Sequence, residues 1–168
     1  MSQQKFKISF NEHIIDKPSQ GSGLNQAINW IPYELTQSQI IHNIKQGMAY
    51  SAHFKNNYRK TENFICSDFI AVDIDNGVQI EDILESKYIK KHCSFIYTTH
   101  SHTELAHRFR IVFLLEKTIT KKENWKYALR GIGQKLKGDP TIKDAARQFY
   151  GSSNCKIYKF NNVLNEVE

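Results

Sequence analysis

The chain has 168 residues, 40% of them hydrophobic and 24% charged, a composition that suits an ordered globular core of one domain or two fused halves. No apolar run approaches the roughly 20 residues of a membrane span, and residues 1–10 lack the apolar stretch of a signal peptide. Cys66, Cys93 and Cys155 are odd in number and have no Cys-x-x-Cys spacing, which argues against a disulfide scaffold and against a structural zinc site. A reduced, cytoplasmic setting is expected.

The net charge of +6 is unevenly spread. Residues 1–86 hold 7 Lys/Arg against 10 Asp/Glu, whereas residues 87–147 hold 14 against 5. An acidic first half beside a basic second half suits a nucleic-acid or nucleotide binder with an acidic metal site, although a merely solvated basic face would give the same balance.

In chain order, residues 5–10 alternate and predict a half-buried strand with Phe6, Ile8 and Phe10 on one face. Residues 19–23, Ser-Gln-Gly-Ser-Gly, predict a surface loop. Residues 36–46 predict a helix with Thr36 as N-cap, Ile40, Ile41 and Ile44 on one face, and Gly47 as its stop. A short strand over 48–54 and a polar loop over 56–63 follow. Strands are expected at 69–75, 94–99, 108–115 and 155–160, with helices at 78–92 and 120–137. The order β-α-β-β-α-β from residue 69 predicts an RRM-like or ferredoxin-like half, with two helices on one sheet face and the other face open to ligands.

Three clusters carry chemistry. In the first, Phe69-Ile70-Ala71-Val72-Asp73-Ile74-Asp75, strand alternation sends Ile70, Val72 and Ile74 to the helical layer. It places Asp73 and Asp75 on the open face, about 7 Å apart. Carboxylates so placed repel, and Mg²⁺ or Mn²⁺ relieves the repulsion; two such ions about 3.5–4 Å apart serve nucleotidyl transfer. The bland alternative is a surface turn at Asp75-Asn76-Gly77. On this reading, replacing both aspartates should abolish activity and leave the fold intact, or even firmer.

The second cluster is Tyr97-Thr98-Thr99-His100-Ser101-His102 with His107-Arg108-Phe109-Arg110. Arg108 and Arg110 share a strand face and suit a phosphate chain, and a neutral histidine can donate to a phosphate oxygen. The third runs over residues 138–154. Gly138 and Pro140 end a helix and hold Asp139 at the boundary. Lys143, Arg147 and Gly151-Ser152-Ser153 add donors suited to phosphate. Asp144 taken alone reads as a helix cap or a partner of Arg147.

Together these clusters resemble the archaeo-eukaryotic primase superfamily over residues 47–156, in the branch that serves plasmid and phage replication. Asp73 and Asp75 match its Asp-x-Asp strand ending. The Thr-Thr-His-Ser-His stretch matches its Ser-x-His type motif, with His102 preferred over His100 and His107. Asp139 matches its third acid, with Asp144 as the alternative, because Gly138 stands where a large apolar residue is usual. The resemblance implies an α+β fold: a small N-terminal α/β unit (residues 1–65) and an RRM-like half (66–168), together one catalytic domain. It implies a monomeric DNA primase-polymerase using two Mg²⁺ or Mn²⁺ ions on Asp73, Asp75 and Asp139. His102, Arg108, Arg110, Arg147, Lys143, Arg59 and Lys60 would bind the nucleotide. The implied partners are a single-stranded DNA template, NTP or dNTP substrates, and a replicative helicase on a separate chain or domain. The competing readings are a rolling-circle type nicking endonuclease with a tyrosine nucleophile, an Asp-x-Asp phosphohydrolase, and a non-catalytic nucleic-acid-binding RRM-like module.

Overall fold

The computed structural model describes residues 3–18, 26–139 and 144–165. Strand β1 (Phe6–Ile15) is flanked by β2 (Ile31–Leu35) and β3 (Met48–Ser51) in a three-stranded antiparallel sheet, with helix α1 (Gln37–Lys45) between β2 and β3 in the chain. A second, five-stranded sheet has the order β4 (His53–Phe54), β5 (Phe64–Ile74), β7 (Phe109–Ile119), β6 (Phe95–Thr98), β8 (Ile157–Lys159), every pair antiparallel. Helices α2 (Ile80–Glu85), α3 (Lys87–His92) and α4 (Lys122–Leu136) complete the described elements. No helix among the described residues is long and apolar enough to cross a membrane. The fold is α+β, as expected.

Local chemistry explains the elements. Thr36 and Gln39 form a capping box: Thr36 Oγ1 accepts from the Gln39 N–H at 3.3 Å, and Gln39 Oε1 from the Thr36 N–H at 3.0 Å. Gly47, at φ +83°, then stops α1. The expected helix over 78–92 splits at Ser86, whose hydroxyl caps α3 by accepting from Ile89. The expected strand over 48–54 breaks into β3 and β4. Strand β2 has no counterpart among the expected elements, because Pro32 interrupts its pattern; it is an edge strand, where proline is tolerated. The expected β-α-β-β-α-β order holds, with its first helix in two pieces. Its last strand pairs with β6, while β4 occupies the free edge of β5. The expected loop at 19–23 lies outside the described residues.

The core lies on both faces of the five-stranded sheet. Ile70, Val72 and Ile74 face Phe113, Ile111 and Phe109 across the register and are buried under the helices. Tyr88 of α3 packs on Phe113, and Trp125 of α4 donates its indole N–H to the Phe69 carbonyl at 3.1 Å. The other face is not open. The Tyr50 ring of β3 and the Phe149 ring stack 5.5 Å apart, and both meet the edge of Phe69. Fully burying three aromatic rings outweighs leaving that face wet. Among the described residues, the first sheet and the segment around Phe149 therefore cover most of it and leave a site at the ends of β5, β6 and β7.

Two glycines are fixed by close approach. Helix α4 ends with Lys137 in the left-handed conformation (φ 54°) and the Gly138 N–H on the Gly133 carbonyl at 2.8 Å. The left-handed residue is thus Lys137, whereas Gly138 is required because a Cβ there would lie 2.3 Å from Val72 Cγ1. At Gly151 a Cβ would meet the Gly47 carbonyl carbon and Met48 oxygen at 2.6 Å and the Ile44 oxygen at 2.8 Å, all backbone. Backbone cannot swing aside as a side chain can. Gly151→Ala is expected to lower the unfolding free energy by about 3 kcal/mol, read as a lower urea midpoint at unchanged slope.

Candidate active site

One row of side chains crosses the sheet. Asp73 on β5, Arg110 on β7 and Tyr97 on β6 are direct register neighbours. Arg110 Nε donates to Asp73 Oδ1 at 2.5 Å, and its Nη1 donates to the Tyr97 hydroxyl at 2.5 Å and the Tyr150 carbonyl at 2.9 Å. The guanidinium also lies 5.0 Å from the Phe149 ring centre and 5.5 Å from that of Tyr97. Arg110 and Asp73 side chains are only 8% and 15% exposed. Burial pulls the Arg110 pKa down, but the facing Asp73 charge more than restores it, so the cation is firmly held. The Tyr97 hydroxyl donates to the Tyr150 carbonyl and lies 2.9 Å from the Tyr50 hydroxyl. Burial pushes both tyrosines' pKa values up, so they stay neutral donors.

Beyond this row the strands end and a cleft of about 180 Å³ opens. Asp73, Asp75 and Asp139 line it, facing Arg108, Arg147, His100 and Lys17. Asp75 follows the last residue of β5, is exposed, and has no hydrogen-bond or ion-pair partner among the described residues. Asp139 is brought to Asp73 by the end of α4: its N–H donates to the Asp73 carbonyl at 2.9 Å. Asn76 Nδ2 donates to the Lys137 carbonyl at 2.5 Å and ties the turn after Asp75 to the same helix end. Arg147 Nη2 stands 3.7 Å from Asp73 Oδ2.

Several expected residues lie elsewhere. Arg110 touches the cleft, yet its Nε and Nη1 bonds hold Asp73, Tyr97 and Tyr150, so it braces the site. His102 Nδ1 accepts from the Arg108 N–H at 3.0 Å and His107 Nδ1 from the Ile80 N–H at 3.0 Å. Neither ring lines the cleft; His100 does. Arg59 Nη1 donates to the Ala146 carbonyl at 2.7 Å beside Trp30, and burial lowers its pKa. Lys60 is exposed beside it, and neither reaches the cleft. Asp144 Oδ1 accepts from the Thr61 hydroxyl at 2.6 Å and the Ala146 N–H at 2.9 Å, a local cap away from the cleft. The Ser153 N–H and hydroxyl both donate to the Asp16 carboxylate at 2.7 Å and are not available to phosphate. Lys143 and Pro140 lie outside the described residues. Sequence reasoning misses Lys17, since nothing in its local pattern separates it from a solvated lysine.

The donor chemistry of the three carboxylates fits hard divalent cations, which take oxygen ligands. Asp75 and Asp139 supply oxygens on the cleft wall, while Asp73 has one oxygen on Arg110 and the other only at long range from Arg147. Among the described residues, no three His, Cys, Asp or Glu side chains stand close enough together to hold an ion as placed. Removing Asp73 would also strand the buried Arg110 cation, which corrects the expectation that the fold is indifferent to its loss.

The family model of the VapE N-terminal domain matches residues 28–160. No curated protein sequence matches the chain. Among solved structures, the chain is similar to the AEP domain of the cyanophage S-2L primase-polymerase, with a TM-score of 0.58 and 9% identity over 98% of this chain and 85% of that one. The chain therefore belongs to the VapE N-terminal domain family and has the fold of the archaeo-eukaryotic primase superfamily.

Proposed function

We propose that this protein is a metal-dependent nucleotidyltransferase that makes or extends primers on a single-stranded DNA template, with a replicative helicase supplied by another chain or domain. The observation that supports it most is the convergence of Asp73, Asp75 and Asp139 with Arg108, Arg147 and His100 on one small cleft of this fold. The reaction forms a bond between a 3′-oxygen and the α-phosphorus of an NTP or dNTP and releases pyrophosphate. Arg108, Arg147 and Lys17 hold the triphosphate and offset the charge that grows on the leaving group, and His100 donates to a phosphate oxygen. Two Mg²⁺ or Mn²⁺ ions, held by Asp75, Asp139 and Asp73, would lower the pKa of the attacking hydroxyl and neutralise phosphate charge. Arg110 and Tyr97 keep Asp73 in place without touching the nucleotide.

The test is incorporation of labelled nucleotides on single-stranded DNA with Mn²⁺ or Mg²⁺, with and without a primer. Metal-dependent incorporation is expected, and its absence with both metals and both nucleotide types overturns the reading. A covalent DNA adduct on Tyr150 would instead favour a nicking endonuclease.

The two aspartates of the strand ending should separate in a stability measurement. Asp75→Ala is expected to abolish incorporation while changing the unfolding free energy by less than about 0.5 kcal/mol, as for an exposed, unpartnered side chain. Asp73→Ala should abolish activity and also cost about 3–5 kcal/mol, because it leaves the Arg110 charge buried and unpaired. Urea denaturation of both variants checks the contrast.

A further inference from the structure

The outer side of α4 carries a second groove, of about 690 Å³, of whose lining only Asp139 has a role above. It is lined by Val72, Leu129, Gly133 and Gly138, and by Lys126, Arg130 and Lys137 against two acids, Glu123 and Asp139. Tyr127 lines the same groove with 73% of its surface exposed, so its ring is open to contact from solvent. Asp139 lines both this groove and the cleft, so the end of the groove lies beside the cleft.

Gly133 is an independent sign that the groove is kept open. It lies inside a 15-residue helix, where glycine costs about 1 kcal/mol relative to alanine. Yet a Cβ built on it meets nothing within 4 Å. Packing therefore does not demand this glycine, and any larger side chain would project into the groove.

Resting on the primer-synthesis reading, we propose that this groove is the track along which single-stranded nucleic acid reaches the cleft. The phosphates pass along Lys126, Arg130 and Lys137, and a base stacks on Tyr127. Three cations against two acids leave the groove net positive, which complements a polyanion and opposes a basic partner. An exposed aromatic beside them takes any base, since every base has a stacking face. Lys126 and Arg130 are four residues apart, so they sit on one helix face and Lys137 continues the row at its end.

The probe is a fluorescein-labelled dT20 strand, followed by anisotropy from 50 to 300 mM salt, with primer extension at saturating template read in parallel. Lys126→Glu with Arg130→Glu is expected to weaken binding at least tenfold and to reduce the salt slope, by about 0.7 for each phosphate that is no longer neutralised. Tyr127→Ala should weaken it about fivefold or more, and 5-iodouracil in the strand should crosslink to Tyr127. Gly133→Leu, which fills the groove without touching a charge, should reproduce the loss while raising or preserving thermal stability. Wild-type affinity in both the charge-reversal and the Gly133→Leu proteins overturns the track. If these variants lose binding while the wild type binds but never extends a primer, the track stands and the primer-synthesis reading falls. If they keep both binding and extension, the reading stands and the track falls.

Discussion

The ion pair between Asp73 and Arg110 is the contact on which the site depends. It spans two central strands, lies almost out of water, and has both partners further bound: Arg110 to Tyr97 and the Tyr150 carbonyl, Asp73 to Arg147 and, through its own carbonyl, to Asp139. A buried charge pair contributes little net stability when compared with well-packed apolar residues, because desolvation offsets most of the Coulomb attraction. What it fixes is position. Arg110 reaches the segment around Phe149 and draws it onto the sheet, and that segment, with Tyr50, turns an open face into a covered one with a small cleft at its margin. The cleft is therefore a consequence of how the cover is held.

The end of α4 makes the same point from the other face. Its close approach to β5 requires Gly138 at Val72, and the Asp139 N–H then completes a backbone bond to Asp73. The Asn76 amide closes the loop from the other direction. Three carboxylates from two distant stretches of chain are held together by main-chain contacts, so their mutual repulsion is opposed without any direct bond among them. That arrangement suits a site whose charge must be neutralised by something that comes and goes.

Much of this is legible in the sequence, and the rest is not for identifiable reasons. Periodicity places β1, α1 and α4 by their single apolar face, and runs of β-forming apolar residues place β5, β6 and β7, which are buried on both faces. It misses β2, whose proline and half-exposed residues follow no alternation. It also takes a face left polar by alternation for a face left open, since Phe69, Tyr50 and Phe149 meet only through long-range packing. Asp73, Asp75 and Asp139 are recognisable by type and spacing. The partnership of Asp73 with Arg110 is not, although both lie on the non-helical face of their strands, because β5 and β7 are distant in the chain and no short turn between them fixes their register.

Register also explains why residues that look equivalent in sequence differ in role. Asp73 and Asp75 are two apart, as are Arg110 and Arg108, and each pair shares a face by alternation. The ladder ends at the pair Ile74 and Phe109, one step past Asp73 and Arg110. Asp73 and Arg110 therefore sit inside the sheet, face each other and are covered. Asp75 and Arg108 fall one position beyond its end, on the cleft wall and in reach of solvent. The same two residue types thus occur twice across one boundary: once as a fixed brace with no exchangeable partner, and once as exposed groups free to meet a ligand. A brace confined to the ordered sheet keeps the exposed pair in register without neutralising it, which is what a site for charged substrates requires.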